Sequence, residues 1–369
     1  MNRTLRVAAV VAASALALAA CSSKSDAGST ASTSSSSASA SVSASTGGAA
    51  FKACMVLDTG GVDDRSFNQS SWKGMQDAKA ANAAIDISYV SSASQNDYEP
   101  NLTAEVGAGC KTVIAVGGLM GDAVKKVAAA KTTAQFAEVD ASSSGPNVYG
   151  LQFNTAQGAF LGGYLAAATT KTGKVATYGG LNIPPVTIYM DGFWEGVQYY
   201  NKTKGKTVQV LGWDEKNQKG GTFAQSFIDQ NKGRSITQAF IQQGADIVFP
   251  VAGGTGLGSG AAAQASGGKV SVIWVDTDGC ESAQQYCSVF LTSVTKNLAK
   301  AVTTYLTAAA GGTFPTGSYI GTLANDGTGL APFHQFDSKV PADVKTELDT
   351  IKADITSGKI ALTSPSIPK

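Results

Sequence analysis

The run Asp58-Thr59-Gly60-Gly61-Val62-Asp63-Asp64-Arg65-Ser66-Phe67-Asn68-Gln69 gathers three carboxylates, a glycine turn, an aromatic ring and an amide in one short stretch. Carboxylates accept hydrogen bonds and repel anions, so the stretch suits a neutral ligand rich in hydroxyls or ring nitrogens better than a phosphate. Ser66 reads as a helix N-cap, with Phe67 and Asn68 opening the helix; the plainer alternative is that Phe67 only packs and the aspartates only cap turns. A second suggestive run, Gly253-Gly254-Thr255-Gly256-Leu257-Gly258-Ser259-Gly260, precedes a strand ending at Asp276. Glycine turn, helix, strand and acid follow the order of a dinucleotide site, but the spacing misses the last glycine of G-x-G-x-x-G. An ATP-binding G-x-x-x-x-G-K-[ST] run is absent from the sequence. Gly253 and Gly254 are therefore expected to let backbone approach a ligand closely, with Asp276 accepting from a pair of hydroxyls.

The rest of the inventory narrows the chemistry. The single histidine, His334, excludes a multi-histidine metal site, and no metal or cofactor is expected. A net charge of +1 without a basic block argues against nucleic acid. With 369 residues, 43% of them hydrophobic, and 42 glycines, the chain can form two domains with many tight turns.

The first 20 residues, with Arg3 and Arg6 ahead of an apolar run too short to span a bilayer, read as a signal peptide. Leu18-Ala19-Ala20-Cys21 resembles a lipobox, which makes Cys21 the lipidated residue; a chance Cys after an ordinary signal is the alternative. Residues 21–50 are dominated by Ser, Ala, Thr and Gly. They are expected to form a disordered tether spanning roughly 30 Å.

Something must position these residues, and the remaining pattern supplies it. Strands are predicted at 54–57, 85–90, 112–116, 135–139 and 148–153, with helices at 67–81, 97–109 and 122–131. A second series has strands at 174–178, 208–213, 246–251 and 270–275 and helices at 156–170, 187–201, 221–243 and 257–265. Such alternation predicts an α/β protein with two doubly wound parallel sheets and a ligand cleft beyond the strand ends. The plain alternative for Lys296 is a solvated residue at the start of the helix whose apolar stripe is Val294, Leu298, Val302 and Leu306. In a sheet of order 2-1-3 the strands at Cys54 and Cys110 are neighbours, so Cys54–Cys110 and Cys280–Cys287 are the expected disulfides, with four free thiols as the alternative. Chain entropy gives them roughly 4 and 2.5 kcal/mol.

The segments DTGGVDDRSFNQSSWKGM, GGLNIPPVTIYMDGFWEGVQYYN, ADIVFPVAGGTGLGSGA, VIWVDTD and LTSVTKN resemble the basic membrane protein family of ABC-transporter lipoproteins, over about residues 52–335. The resemblance implies a type I periplasmic-binding-protein fold that closes on a nucleoside. It implies that Phe67 and Phe193 sandwich the base, that Asn68 and Asp140 bond its edge, and that Asp276, Lys296 and the backbone at Gly253 and Gly254 hold the ribose. Asp58 is a further expected member. Arg65 and the Cys280–Cys287 pair depart from the family pattern. The expected lobes are 51–153 plus about 277–313, and 154–276 plus about 314–369.

On this reading the chain is a monomeric, non-enzymatic receptor, anchored by lipid on the extracytoplasmic face of the cell membrane. It captures a nucleoside, a purine by preference, and delivers it to an ABC permease with cytoplasmic ATPase subunits. A receptor for a sugar or another neutral ligand, or an exported hydrolase using paired carboxylates such as Asp58 and Asp63, are the alternatives.

Overall fold

A strand buried on both faces must be apolar throughout, and the five-residue runs Thr112–Val116 and Ile247–Val251 are buried at every position. Each lies in the middle of a separate sheet of a computed structural model that describes residues 50–369. Cys21 and the expected tether fall outside the described residues.

In chain order the first lobe contains β1 (Phe51–Leu57), α1 (Phe67–Ala81), β2 (Ile85–Ser91), α2 (Tyr98–Gly107), β3 (Thr112–Val116), α3 (Gly121–Ala130), β4 (Gln135–Val139) and β5 (Val148–Phe153). The chain then crosses into the second lobe through α4 (Thr155–Thr169), β6 (Lys174–Gly179), α5 (Pro184–Lys204), β7 (Gln209–Leu211), α6 (Gln230–Gln242), β8 (Ile247–Val251), α7 (Leu257–Ala265), β9 (Ser271–Asp276), the short α8 (Gly279–Ser282) and β10 (Phe290–Lys296). It returns through α9 (Leu298–Ala310) and β11 (Ser318–Gly321), and ends with β12 (Thr328–Leu330) and α10 (Ala342–Thr356). The sheets have orders β11-β5-β4-β3-β1-β2 and β12-β10-β9-β8-β6-β7. All pairings are parallel except β10 with β12. The protein is thus α/β with the type I arrangement expected, and the start of each sheet follows the 2-1-3 order.

Two expectations and one alternative need correction. Residues 277–313 do not travel together with the first lobe: β10 pairs with β9 in the second sheet, and only α9, which packs on α1, and then β11 return to the first. Residues 221–229 are not helical. Phe223, Ala224, Phe227 and Ile228 have helical spacing, but Phe223 bridges to Gly179, Ser226 Oγ accepts the amides of Ile228 and Asp229, and Asp229 caps a helix that begins only at Gln230. Lys296 ends strand β10 instead of opening a helix, because Asn297 provides the cap by accepting from the Lys300 amide.

Both disulfides form as expected. Cys54 lies on β1 and Cys110 directly before β3, with Ala53 in register with Thr112, which leaves the Cα atoms 5.9 Å apart. Cys280 and Cys287 close a short loop after β9.

The second core rests on α4 against α5, a crossing that side chains would hold apart. A Cβ on Gly163 would lie 2.0 Å from the carbonyl oxygen of Phe193, and one on Gly192 would lie 2.2 Å from that of Ala156. The helices touch backbone to backbone, which accounts for part of the glycine excess.

The first sheet buries an isolated acid. Glu138 on β4 is fully buried, neither carboxyl oxygen has a partner among the described residues, and burial, reinforced by Asp122, pushes the group up to about 7. The folded-state value exceeds the ordinary 4.5, so the native chain holds a proton that the unfolded chain releases. This contribution is fully present below the ordinary value and is lost as pH rises toward about 7. The melting temperature should therefore fall between about pH 5 and pH 8 in a thermal-melt series, and Glu138→Gln should flatten that fall. An unchanged pH profile in the variant would remove Glu138 as its source.

Candidate functional site

Strand ends from both sheets face one cavity, the kind of place where α/β folds bind small molecules. The first lobe contributes Asp58, Phe67, Asn68 and Asp140; the second contributes Tyr189, Phe227, Gly253, Asp276 and Lys296.

Asp58 follows β1, and its Oδ1 accepts from the Gly60 amide at 3.0 Å and from Asn68 Nδ2 at 2.8 Å. Burial raises its carboxyl above the ordinary range against the pull of those two bonds. The start of α1 is capped by Asp64, whose carboxylate accepts the amides of Ser66, Asn68 and Gln69. Burial nevertheless pushes Asp64 up to about 7. The expected cap, Ser66, turns elsewhere: its hydroxyl donates to Asp276 Oδ2 at 2.6 Å, across the cleft. Tyr189 on α5 donates to the other Asp276 oxygen at 2.7 Å, and its own hydroxyl is pushed well above the ordinary range by burial and by that carboxylate. Trp274 Nε1 donates to the Arg65 carbonyl at 3.3 Å, a further bond between lobes.

Lys296 and Asp140 form a buried ion pair at 2.6 Å, with side chains 3% and 9% exposed. Burial raises the Asp140 carboxyl and Lys296 opposes that rise. The Lys296 ammonium also lies 4.9 Å from the Phe67 ring centre and 5.8 Å from that of Tyr189. Asp140 and Asp276 both have left-handed backbone, with φ of 69° and 67°, at the ends of β4 and β9. Aspartate tolerates that region better than most residues, and here the turn aims each carboxylate at the cavity.

The cavity thus gathers Asp58, Phe67, Asn68, Asp140, Gly253, Asp276 and Lys296. Gly254 is buried behind it, next to the Phe227 carbonyl. Phe193 is a correction: it is fully buried, packs 5.3 Å from the Phe249 ring in the second core and is not part of the cavity wall. Helical spacing puts Tyr189 and Phe193 on one face of α5, but only the residue one turn nearer the strand ends reaches the cleft. The second lobe supplies Phe227 instead, from the non-helical stretch after β7, with its ring folded over Gly180. The flanking glycines at 220 and 221 were the available signal that this stretch turns back. Asp63 is exposed and lines an outer groove with Arg65, so it does not pair with Asp58 across the cavity.

A sequence model of the family described as ABC transporter substrate-binding protein PnrA-like matches residues 51–357. The chain is 34% identical to the CD4+ T-cell-stimulating antigen of Listeria monocytogenes, over 84% of this chain and 87% of that one. It is 28% identical to the ABC transporter nucleoside-binding protein BmpA of Lactococcus lactis, over 85% and 89%. A solved ABC-transporter solute-binding protein from Aeropyrum pernix has the same fold, with a TM-score of 0.77, 24% identity and coverage of 85% and 94%.

Proposed function

Because this chain belongs to the family of PnrA-like ABC transporter substrate-binding proteins, we propose that it captures nucleosides, purine nucleosides in particular, in the interlobe cleft and hands them to an ABC permease with cytoplasmic ATPase subunits. The observation that carries this reading is the pairing of one aromatic ring from each lobe, Phe67 and Phe227, with an acceptor-rich polar set that holds its single cation in an ion pair. Aromatic faces suit a heterocycle, and carboxylates suit its N–H groups and the ribose hydroxyls. A phosphate would meet Asp58, Asp64, Asp140 and Asp276. Asn68 and Asp140 are assigned to the base edge, and Asp276, Lys296 and the backbone at Gly253 and Gly254 to the ribose, with Asp58 a further member of the polar set. Lipid on Cys21 would hold the receptor on the extracytoplasmic face of the cell membrane. No helix among the described residues is long and apolar enough to cross a membrane.

Incubation of the purified protein with inosine, adenosine, guanosine, ribose and glucose tests the reading. The expected result is a melting temperature that rises with nucleoside concentration while chromatography recovers the nucleoside intact; a hundredfold excess over Kd stabilises by about 2.7 kcal/mol. Free base in the chromatogram would identify a hydrolase. A shift with the sugars alone would identify a sugar receptor.

A further inference from the structure

Asn68 is 1% exposed and lines the cavity, yet its Oδ1 has no partner among the described residues. An amide can turn either end toward a ligand, and its network decides which. Here Asn68 meets Asp58 Oδ1, an atom that already accepts the Gly60 main-chain N–H at 3.0 Å. An oxygen that accepts from a main-chain amide is held as an acceptor, so the end of Asn68 facing it at 2.8 Å is the NH₂. The space is tight as well: a Cβ at position 60 would lie 2.6 Å from Asn68 Nδ2, so only glycine leaves room for this arrangement.

We propose that Asp58 and the Gly60 amide lock the Asn68 side chain with its carbonyl oxygen toward the ligand, so that the cleft selects heterocycles presenting an N–H at that edge over those presenting only ring-nitrogen lone pairs. The proposal rests on the nucleoside reading above and specifies its ligand class, a base with a lactam or comparable N–H, as in a 6-oxopurine. Asp58 is a positioning residue here, acting through Asn68. Burial raises the Asp58 carboxyl, but a proton taken up there would sit on Oδ2, because Oδ1 already receives two N–H groups. The orientation of Asn68 therefore survives protonation of its partner. A ligand lacking the N–H would leave a buried carbonyl oxygen without a partner, which costs affinity beyond the bond itself.

The test is calorimetric titration of the full chain with inosine, 1-methylinosine and purine riboside. The first carries N1–H, the second has it blocked, and the third has no N–H on its base. Wild-type protein should bind inosine about tenfold or more tightly than either analogue. Asp58→Asn, whose amide can accept or donate, should shrink that ratio toward one, and so should Asn68→Ala, which removes the acceptor. A merely structural role for Asp58 would weaken all three ligands alike and leave the ratio unchanged. Equal wild-type affinity for inosine and purine riboside overturns this inference while sparing the nucleoside reading; failure of every nucleoside to bind overturns both. Should Asp58→Asn fail to fold, the wild-type series and Asn68→Ala still decide.

Discussion

Replacing Lys296 with methionine is expected to destabilise the protein by about 3–5 kcal/mol and to abolish ligand capture, because the change strands the Asp140 carboxylate in a buried site. The two side chains face each other at 2.6 Å, and the ammonium is the main influence opposing the rise that burial imposes on Asp140. Without it, Asp140 must keep an uncompensated charge or take up a proton. A folded-state value further above the unfolded one means stability that is retained at low pH and lost as pH rises through the folded value. The deficit of Lys296→Met relative to wild type should therefore be larger near pH 8 than near pH 5. Replacing both partners, as Lys296→Met with Asp140→Leu, removes the stranded charge and should recover most of the lost stability, since apolar replacements of buried pairs are often neutral. It should not recover binding, because the cleft then lacks both polar groups. Thermal melts at the two pH values, with calorimetry for the ligand, separate these outcomes. A single variant as stable as the double one would show that the pair has no structural role.

How much of this arrangement can be read from the sequence depends on whether a residue's surroundings are local. Asp58, Phe67 and Asn68 follow one strand and open one helix, so strand, turn and helix signals place them together. Asp140 and Asp276 each end an apolar run, and in a parallel sheet the strand carboxyl ends share one edge, so each is placed at the ligand-side edge of its own sheet. Lys296 is recognisable as a site residue, but its element is not, because its strand and the following helix share the apolar positions Val294 and Leu298. The lobe boundary fails for a related reason. The chain crosses between lobes three times, and the short strands β11 and β12 join opposite sheets, a choice made by tertiary pairing that no local period records. Tyr189 is unreadable as a cleft residue because its role is to bond Asp276, 87 positions away.

The clearest separation of local pattern from tertiary placement comes from two phenylalanines of the second lobe. Phe227→Ala should weaken nucleoside binding by about 5- to 150-fold, the range for loss of one stacking ring. Its effect on the ligand-free melting temperature should be small, since the ring is only partly buried and leaves from the surface of the cleft. Phe193→Ala should do the reverse. That ring is fully buried against Phe249, between helices whose glycine contacts prevent collapse around a hole, so its loss should cost about 3–5 kcal/mol of stability. Affinity of the folded fraction should stay within about twofold of wild type. Calorimetry and thermal melts on both variants decide the matter, and the opposite pattern would return Phe193 to the ligand and remove Phe227 from it. The difference has a physical origin. Phe193 sits in a regular helix whose spacing with Tyr189 directs it inward, and a well-packed helix face is a poor place from which to reach a ligand. Phe227 lies in a stretch that is not helical although its apolar residues have helical spacing, held by Ser226 side-chain bonds and pressed over Gly180, where the backbone points a ring into the cleft.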